Sequence, residues 1–425
     1  MKIIIGSDTY YPHINGASYL TQRLAYYLKK NGHDVLVIAP SPNLNRGFFE
    51  HNDVRAYGLL SLPIFIYKGF SPRATFPVAR YKNFRLSPSM IEDRKLETIV
   101  QTFNPDVIHI MNHFFIGRSL FNIAQKHDIP IVGTSTFMPE NFMHYSHLPD
   151  QLQQFAARWV WKDFRRIYEQ LDAVSTLTHR AATLMDQIGF DKEVFIISSG
   201  IDFETFNPDN KGEYLKERYG IPDRPILLYL GRLDKEKHLD VLLKAFSKVD
   251  SQTPVHFVIA GTGQEKEQLK LLTHRLKISD QVTFTDFVPD EDVANLYAIA
   301  DAFIIASTAE LQSIVTLQAL ASGLPVIGAD SVALPELVHD QENGYLFDPN
   351  DPKQIAQQIT NLFSDDILRQ SMSEKSLEII KKHDINHVIE QYNQMYSNAI
   401  TTHVPIEKPS RLERVTKTVS RFNPL

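Results

Sequence analysis

The sequence predicts an α/β protein made of two tandem, Rossmann-like, doubly wound parallel-sheet domains with a cleft between them. Three observations carry this expectation. At 425 residues the chain is too long for one ordinary core. Its short apolar runs are continuous rather than alternating, as in parallel strands covered on both faces. Those runs alternate with helical patterns in two successive series, separated by a turn-rich stretch from Gly200 to Pro208.

The first series opens with an apolar strand from Ile3 to Ser7 and a turn-rich loop from Tyr10 to Gly16. A helix follows from about Ala17 to Lys30, with Leu20, Leu24, Tyr27 and Leu28 at helical spacing. Asn31, Gly32 and His33 end it, and Val35 to Ile38 begins the next strand, completing a βαβ unit. Val107–Ile110, Ile131–Gly133, Ala173–Thr176 and Val194–Ile197 continue the pattern. In the second series Ile226–Tyr229, His256–Ala260, Val282–Phe284, Ala302–Ile305 and Val326–Gly328 read as strands. Helices are expected about Leu239–Ala245, Gln264–Leu276, Asp290–Ala300, Ser313–Ala321 and Pro352–Phe363, and another from Asp384 to Ala399. The expected division is residues 1–203, residues 204–383, and a C-terminal helix and basic tail, 384–425, packing back on the first domain. Open α/β sheets bind ligands at the carboxyl ends of their strands, so both domains present loops to the cleft.

Composition narrows the class. The net charge of −6 argues against a nucleic-acid binder, which needs a basic excess. The absence of cysteine excludes disulfides, thiolate catalysis and cysteine metal sites. No apolar run approaches the roughly 20 residues that span a bilayer, and the N-terminus reads as a strand rather than a signal peptide. A cytoplasmic protein with at most peripheral membrane contact is expected.

The second series holds the most informative segment. Glu310 closes an apolar strand just before a helix, where backbone N–H groups attract anions. A diphosphate resting on the N–H groups near Ser313 and Ile314, with Glu310 turned toward a sugar hydroxyl, fits both features. Gln318 lies five residues into that helix, roughly 7.5 Å along it at ~1.5 Å per residue, about a ribose's reach from such a diphosphate. Gly231 with Arg232 and Lys237 directly after a strand is a phosphate-binding arrangement, in which glycine admits close approach and Arg forks onto two oxygens. Gly261 and Gly263, between a strand and a helix, suit close approach to a flat or anionic ligand. Asp290, Glu291 and Asp292 could pass for a metal-binding pair, but acidic residues in a first helical turn are ordinary. No metal is expected.

These motifs resemble the donor-binding signature of retaining glycosyltransferases of family 4, with a GT-B fold. The family pattern is Glu, seven residues, a second Glu, then a small-residue run matched here by Ala321-Ser-Gly-Leu-Pro-Val326. The resemblance implies that Arg232 and Lys237 clamp the donor diphosphate and that Glu310 positions the donor sugar, these three being the catalytic candidates. It puts Gly261, Gly263 and the backbone at Val288 beside the nucleotide, with Gln318 facing the ribose in place of the second Glu. It also implies a metal-free transfer with no enzyme nucleophile, in which the leaving phosphate helps take the acceptor's proton. In the first domain, the loop Asp8 to Ala17 is similar to the family loop whose glycine, here Gly16, lies against donor phosphate and acceptor. The segments containing His113, and Thr136 with Glu140, are similar to acceptor-side segments. Relatives carry His where Thr136 stands, and a hydroxyl takes no proton near neutral pH.

Basic and aromatic residues interleave at Lys68 to Arg85, at Arg158 to Arg166 and in the tail from Arg411 to Phe422. They motivate a lipid acceptor such as diacylglycerol at a membrane surface; solvated charges over a core are the plainer account. Two functions stay open. One is a hexosyltransferase that uses a nucleotide-diphosphate sugar, expected to be UDP-linked, and a lipid or glycan hydroxyl. The other is a degenerate, non-catalytic relative that binds a partner enzyme or glycan, suggested by Thr136 and Gln318. A dehydrogenase is disfavoured, since neither domain has G-x-G-x-x-G.

Overall fold

A computed structural model describes residues 1–13, 15–43, 45–63, 85–136, 150–308 and 310–405. Glu140, most of the basic-aromatic stretch Lys68 to Arg85 and the tail beyond 405 lie outside the described residues.

The N-terminal lobe runs β1 (Lys2–Gly6), α1 (Gly16–Lys30), β2 (Asp34–Pro40), β3 (Gly47–His51), β4 (Val54–Leu59), α2 (Asp93–Phe103), β5 (Val107–Ile110), α3 (Phe115–His127), β6 (Ile131–Ser135), α4 (Asp150–Tyr168), β7 (Ala173–Thr176), α5 (His179–Gln187) and β8 (Val194–Ile196). Its strands lie in the order β8-β7-β6-β5-β1-β2-β4-β3, parallel except for the β3–β4 hairpin. The C-terminal lobe runs α6 (Tyr214–Tyr219), β9 (Ile226–Leu230), α7 (Leu239–Phe246), β10 (His256–Ala260), α8 (Lys266–Leu276), β11 (Val282–Asp286), α9 (Asp290–Ala298), β12 (Ala302–Ile305), α10 (Ile314–Ala321), β13 (Val326–Ala329), β14 (Gly344–Phe347), α11 (Pro352–Ser364) and α12 (Asp366–Ile380). Its strand order, β11-β10-β9-β12-β13-β14, reverses direction between β9 and β12. That reversal opens a crevice at the carboxyl ends of those two strands.

Burial follows the pattern in the sequence. Ile3, Ile4 and Ile5 of β1 and Phe303 and Ile304 of β12 are wholly buried, because helices cover both sheet faces. The last helix, α13 (Ile385–Thr402), returns to the first lobe, and its Ile385, Val388, Tyr392, Met395 and Tyr396 join the cluster of Ile3, Ile5, Leu20 and Leu24. His109 links sheet to helix, with Nδ1 at 2.8 Å from the Tyr396 hydroxyl and Nε2 at 2.7 Å from Thr134 Oγ1. Burial pushes its pKa down to about 3, so the ring is a neutral structural group. The chain crosses between lobes twice, side by side, where Ile201 N donates to His383 O at 2.8 Å and Ile385 N to Ile201 O at 2.9 Å.

Candidate active site

Each motif of the C-terminal lobe arrives at the β9/β12 crevice. The loop after β9 carries Arg232 and Lys237, and the loop after β12 carries Ser307 and Glu310. Helix α10 starts there because Ser313 caps it, its Oγ accepting from Thr316 N at 3.3 Å, a contribution of about 1 kcal/mol. Leu317, Ala319 and Leu320 then bury the helix, so its N-terminus is held against the crevice.

The charges are paired within the protein. Lys237 Nζ donates to Glu310 Oε1 at 2.5 Å and to Ser307 Oγ at 3.3 Å. Arg232 Nη1 reaches Asp234 Oδ2 at 2.7 Å, and Nη2 reaches Glu236 Oε1 at 2.6 Å. Burial would raise the Glu310 pKa, but the charge and hydrogen bond of Lys237 outweigh it and hold the carboxyl below its ordinary range. Both cations are thus oriented before any ligand arrives. A diphosphate must compete with Glu310 for the ammonium, whose three donors can turn from the carboxylate to phosphate oxygens.

The glycines have another role than direct ligand contact. The loops after β9 and β10 are zipped together by Gly231 N to Ala260 O and Leu233 N to Thr262 O, both 3.0 Å. A Cβ on Gly261 would stand 1.9 Å from Gly231 O, and one on Gly263 2.3 Å from the Leu233 carbonyl. Gly261 still lines the cleft, whereas Gly263 does not and serves the packing of the loops. Gln318 lines the cleft, with Oε1 3.3 Å from the hydroxyl of buried Tyr297. Asp292 accepts from Tyr214 and Arg218, both at 2.5 Å, and is a structural acid rather than half of a metal pair.

The cleft holds a cavity of about 740 Å³ between the lobes. Gly16, Arg232, Lys237, Gly261, Val288, Glu310, Ser313, Ile314 and Gln318 line it together. From the N-terminal lobe come Tyr11, Tyr19, Gln22, Arg23, Tyr26 and His51. Helix α1 buries Leu20, Leu24 and Leu28 against its own sheet, which turns Tyr19, Gln22, Arg23 and Tyr26 to the other lobe.

Two acceptor-side candidates lie off this cavity. His113 is buried beneath Phe114 and Phe164; burial pushes its pKa down to about 4, in spite of Asp163 3.8 Å away. Thr136 spends its hydroxyl on Met111 O at 3.0 Å, fixing the end of β6.

Gln312, between Glu310 and Ser313, was not singled out from the sequence. Its side-chain oxygen accepts from Ser199 N at 2.7 Å and Ser199 Oγ at 2.6 Å, and its Nε2 donates to Leu177 O at 3.2 Å and Ser198 Oγ at 3.1 Å. These bonds all cross to the other lobe. Thr178 Oγ1 donates to Leu311 O at 3.0 Å, and Glu336 accepts from His179 N and Arg180 N at the start of α5. The donor-side loop is thereby fastened to the N-terminal lobe. No local pattern signals a partner more than a hundred residues away.

Residues 14–205 match the family described as Glycosyltransferase Family 4, and residues 213–378 match Glycosyl transferases group 1. The alpha-monoglucosyldiacylglycerol synthase of Acholeplasma laidlawii is 30% identical over 361 residues, covering 83% of this chain and 86% of that protein. The chain belongs to glycosyltransferase family 4. This glycosyltransferase is also similar to the alpha-monoglucosyldiacylglycerol synthase of Streptococcus pneumoniae, at 29% identity over 354 residues, 82% of this chain and 75% of that one. The structure of Anabaena HepE in complex with UDP-glucose superimposes with a TM-score of 0.69 at 18% identity, covering 93% of this chain and 99% of the other. Both sheets and the cleft between them are those of the GT-B fold.

Proposed function

We propose that this family 4 glycosyltransferase moves a hexose from a UDP-linked sugar to a hydroxyl acceptor, with retention at the anomeric carbon and without a bound metal. The carrying observation is the convergence of Arg232, Lys237 and Glu310 with the start of α10 at the β9/β12 switch point, facing an interlobe cavity. In this reading Arg232 and Lys237 hold the diphosphate and offset the charge that develops on it as the sugar leaves. The N–H groups at Ser313 and Ile314 add the field of a helix start. Glu310, released by Lys237, accepts from a donor-sugar hydroxyl, and Gln318 faces the ribose. The acceptor hydroxyl approaches on the face the leaving group vacates, and the departing phosphate oxygen takes its proton.

The acceptor proposed is a membrane lipid or a glycan, met at the inner face of a membrane. Among the described residues no helix is long and apolar enough to cross a bilayer. Helix α4 instead exposes Leu152, Phe155 and Trp159, the latter two 71% and 64% exposed, alongside Arg158, Lys162 and Arg166. Apolar rings ringed by cations suit an anionic lipid interface, where each basic residue contributes about 1 kcal/mol. The similarity to two alpha-monoglucosyldiacylglycerol synthases supports a lipid acceptor. Incubation with UDP-, GDP- and ADP-hexoses and with lipid vesicles or glycan primers tests the reading. Transfer from a UDP-sugar is expected; labelled product from none of these donors, with any acceptor, would remove it.

A further inference from the structure

We propose that the N-terminal wall of the cleft carries a second subsite, centred on Arg23, which recognises an anionic group on the acceptor. The inference rests on reading the cleft as a transferase site and narrows its acceptor to an acidic one.

The cavity wall presents three cations, and they are not alike. Arg232 and Lys237 are held by carboxylates of their own lobe. Arg23 is not: its Nε and Nη2 are shielded from solvent and have no hydrogen-bond partner among the described residues, although the residue lines the cavity. Burial lowers its pKa to about 10, which leaves it charged at neutral pH. Asp202 acts on it only through space. The Asp202 carboxylate is bonded to Thr205 Oγ1 at 2.5 Å, to Glu204 N at 3.0 Å and to the Tyr27 hydroxyl. A buried guanidinium without a bonded acceptor destabilises a fold, and such groups occur where a ligand completes them.

The surroundings describe the rest of that ligand. Tyr11, 41% exposed, stacks on His51 with centroids 3.9 Å apart, and Gln22 fixes His51 Nε2 at 2.7 Å. Tyr19 and Tyr26 flank the same stretch of α1. Flat rings beside one unsatisfied fork suit a sugar ring next to a phosphate or carboxylate. Arg23 lies seven residues along α1 from Gly16, roughly 10 Å at about 1.5 Å per residue.

Calorimetric titration of the full-length protein saturated with UDP tests this, because UDP keeps acidic probes off the diphosphate site. The probes are glycerol 1-phosphate and glucuronic acid, with methyl α-glucoside as the neutral control. An acidic probe is expected to bind the unaltered protein and to lose at least tenfold in affinity in Arg23→Met, while UDP affinity stays the same. Preference for phosphate over carboxylate, or the reverse, identifies the acidic group. The melting temperature of Arg23→Met should hold or rise, since an uncompensated buried charge is removed. Failure of both acidic probes to bind, equal binding by the variant, or a fall in its melting temperature would overturn the subsite. Failure of UDP itself to bind, read first in the same experiment, would instead overturn the donor reading on which the subsite depends.

Discussion

Replacing Gln312 with Met should loosen the two lobes from one another. Met keeps the length of the side chain and most of its volume, so the change removes polar bonds with little loss of packing. Gln312 is 7% exposed and bonds across the lobe boundary to Leu177, Ser198 and Ser199. The Ser198 and Ser199 hydroxyls can turn to other partners, and Ser198 already faces His383 Nδ1 at 2.7 Å. Ser199 N–H and Leu177 C=O are backbone groups and cannot turn. Each buried group left unsatisfied costs about 1–3 kcal/mol, so the pair amounts to about 2–6 kcal/mol, nearer the lower end where cleft water reaches them. Because the bonds join lobes, urea unfolding should separate into two transitions, one for each lobe. Gln312→Glu should be no better, since its second oxygen faces the Leu177 carbonyl. A single transition with stability within about 0.5 kcal/mol of the parent would show that these bonds do not hold the lobes together.

Three further outcomes follow from the site. Glu310 has a lowered pKa, so its contribution to stability is complete above the ordinary carboxylate value of 4.5 and is lost as pH falls through the lowered one. Lys237→Met removes the main opposition to desolvation and leaves the Ser307 hydrogen bond and the Arg232 charge, so the Glu310 pKa should rise and the stability gained as pH climbs through the acidic range should shrink; an unchanged profile would contradict the pairing. Gly261→Ala places a Cβ 1.9 Å from Gly231 O at a φ of +134°, and should destabilise the C-terminal lobe by about 1–3 kcal/mol by thermal unfolding. Gln318→Glu restores a charged acceptor where the family has one and should tighten UDP binding by about 1 kcal/mol or more, at least about fivefold by calorimetry.

The sequence made the strands and the donor motifs legible because both are local. An apolar run such as Ile226–Tyr229 or Ala302–Ile305 needs only its own composition to be recognised, and the structure extends or matches it by a residue or so. The β3–β4 hairpin went unread because β3 is half-exposed on the sheet edge and has no continuous apolar run. Helix α4 was seen as a basic-aromatic stretch, not as a helix exposing one face. Within the site, residue type and spacing pointed to Arg232, Lys237 and Glu310. They did not reveal that these cations are already paired with carboxylates, which depends on the rotamers of two separate loops. The glycines at 261 and 263 looked like ligand contacts because the reason for them, the backbone of the neighbouring loop, is a tertiary fact. Arg23 and Gln312 were missed for the same cause, since their meaning lies across the cleft.

The most direct test is a crystal structure of the protein with UDP bound. Pyrophosphate oxygens are expected within hydrogen-bonding reach of Arg232, of Lys237 turned away from Glu310, and of the backbone N–H groups at Ser313 and Ile314. Nucleotide density elsewhere, with the Lys237–Glu310 pair intact and the start of α10 bare, would contradict this placement.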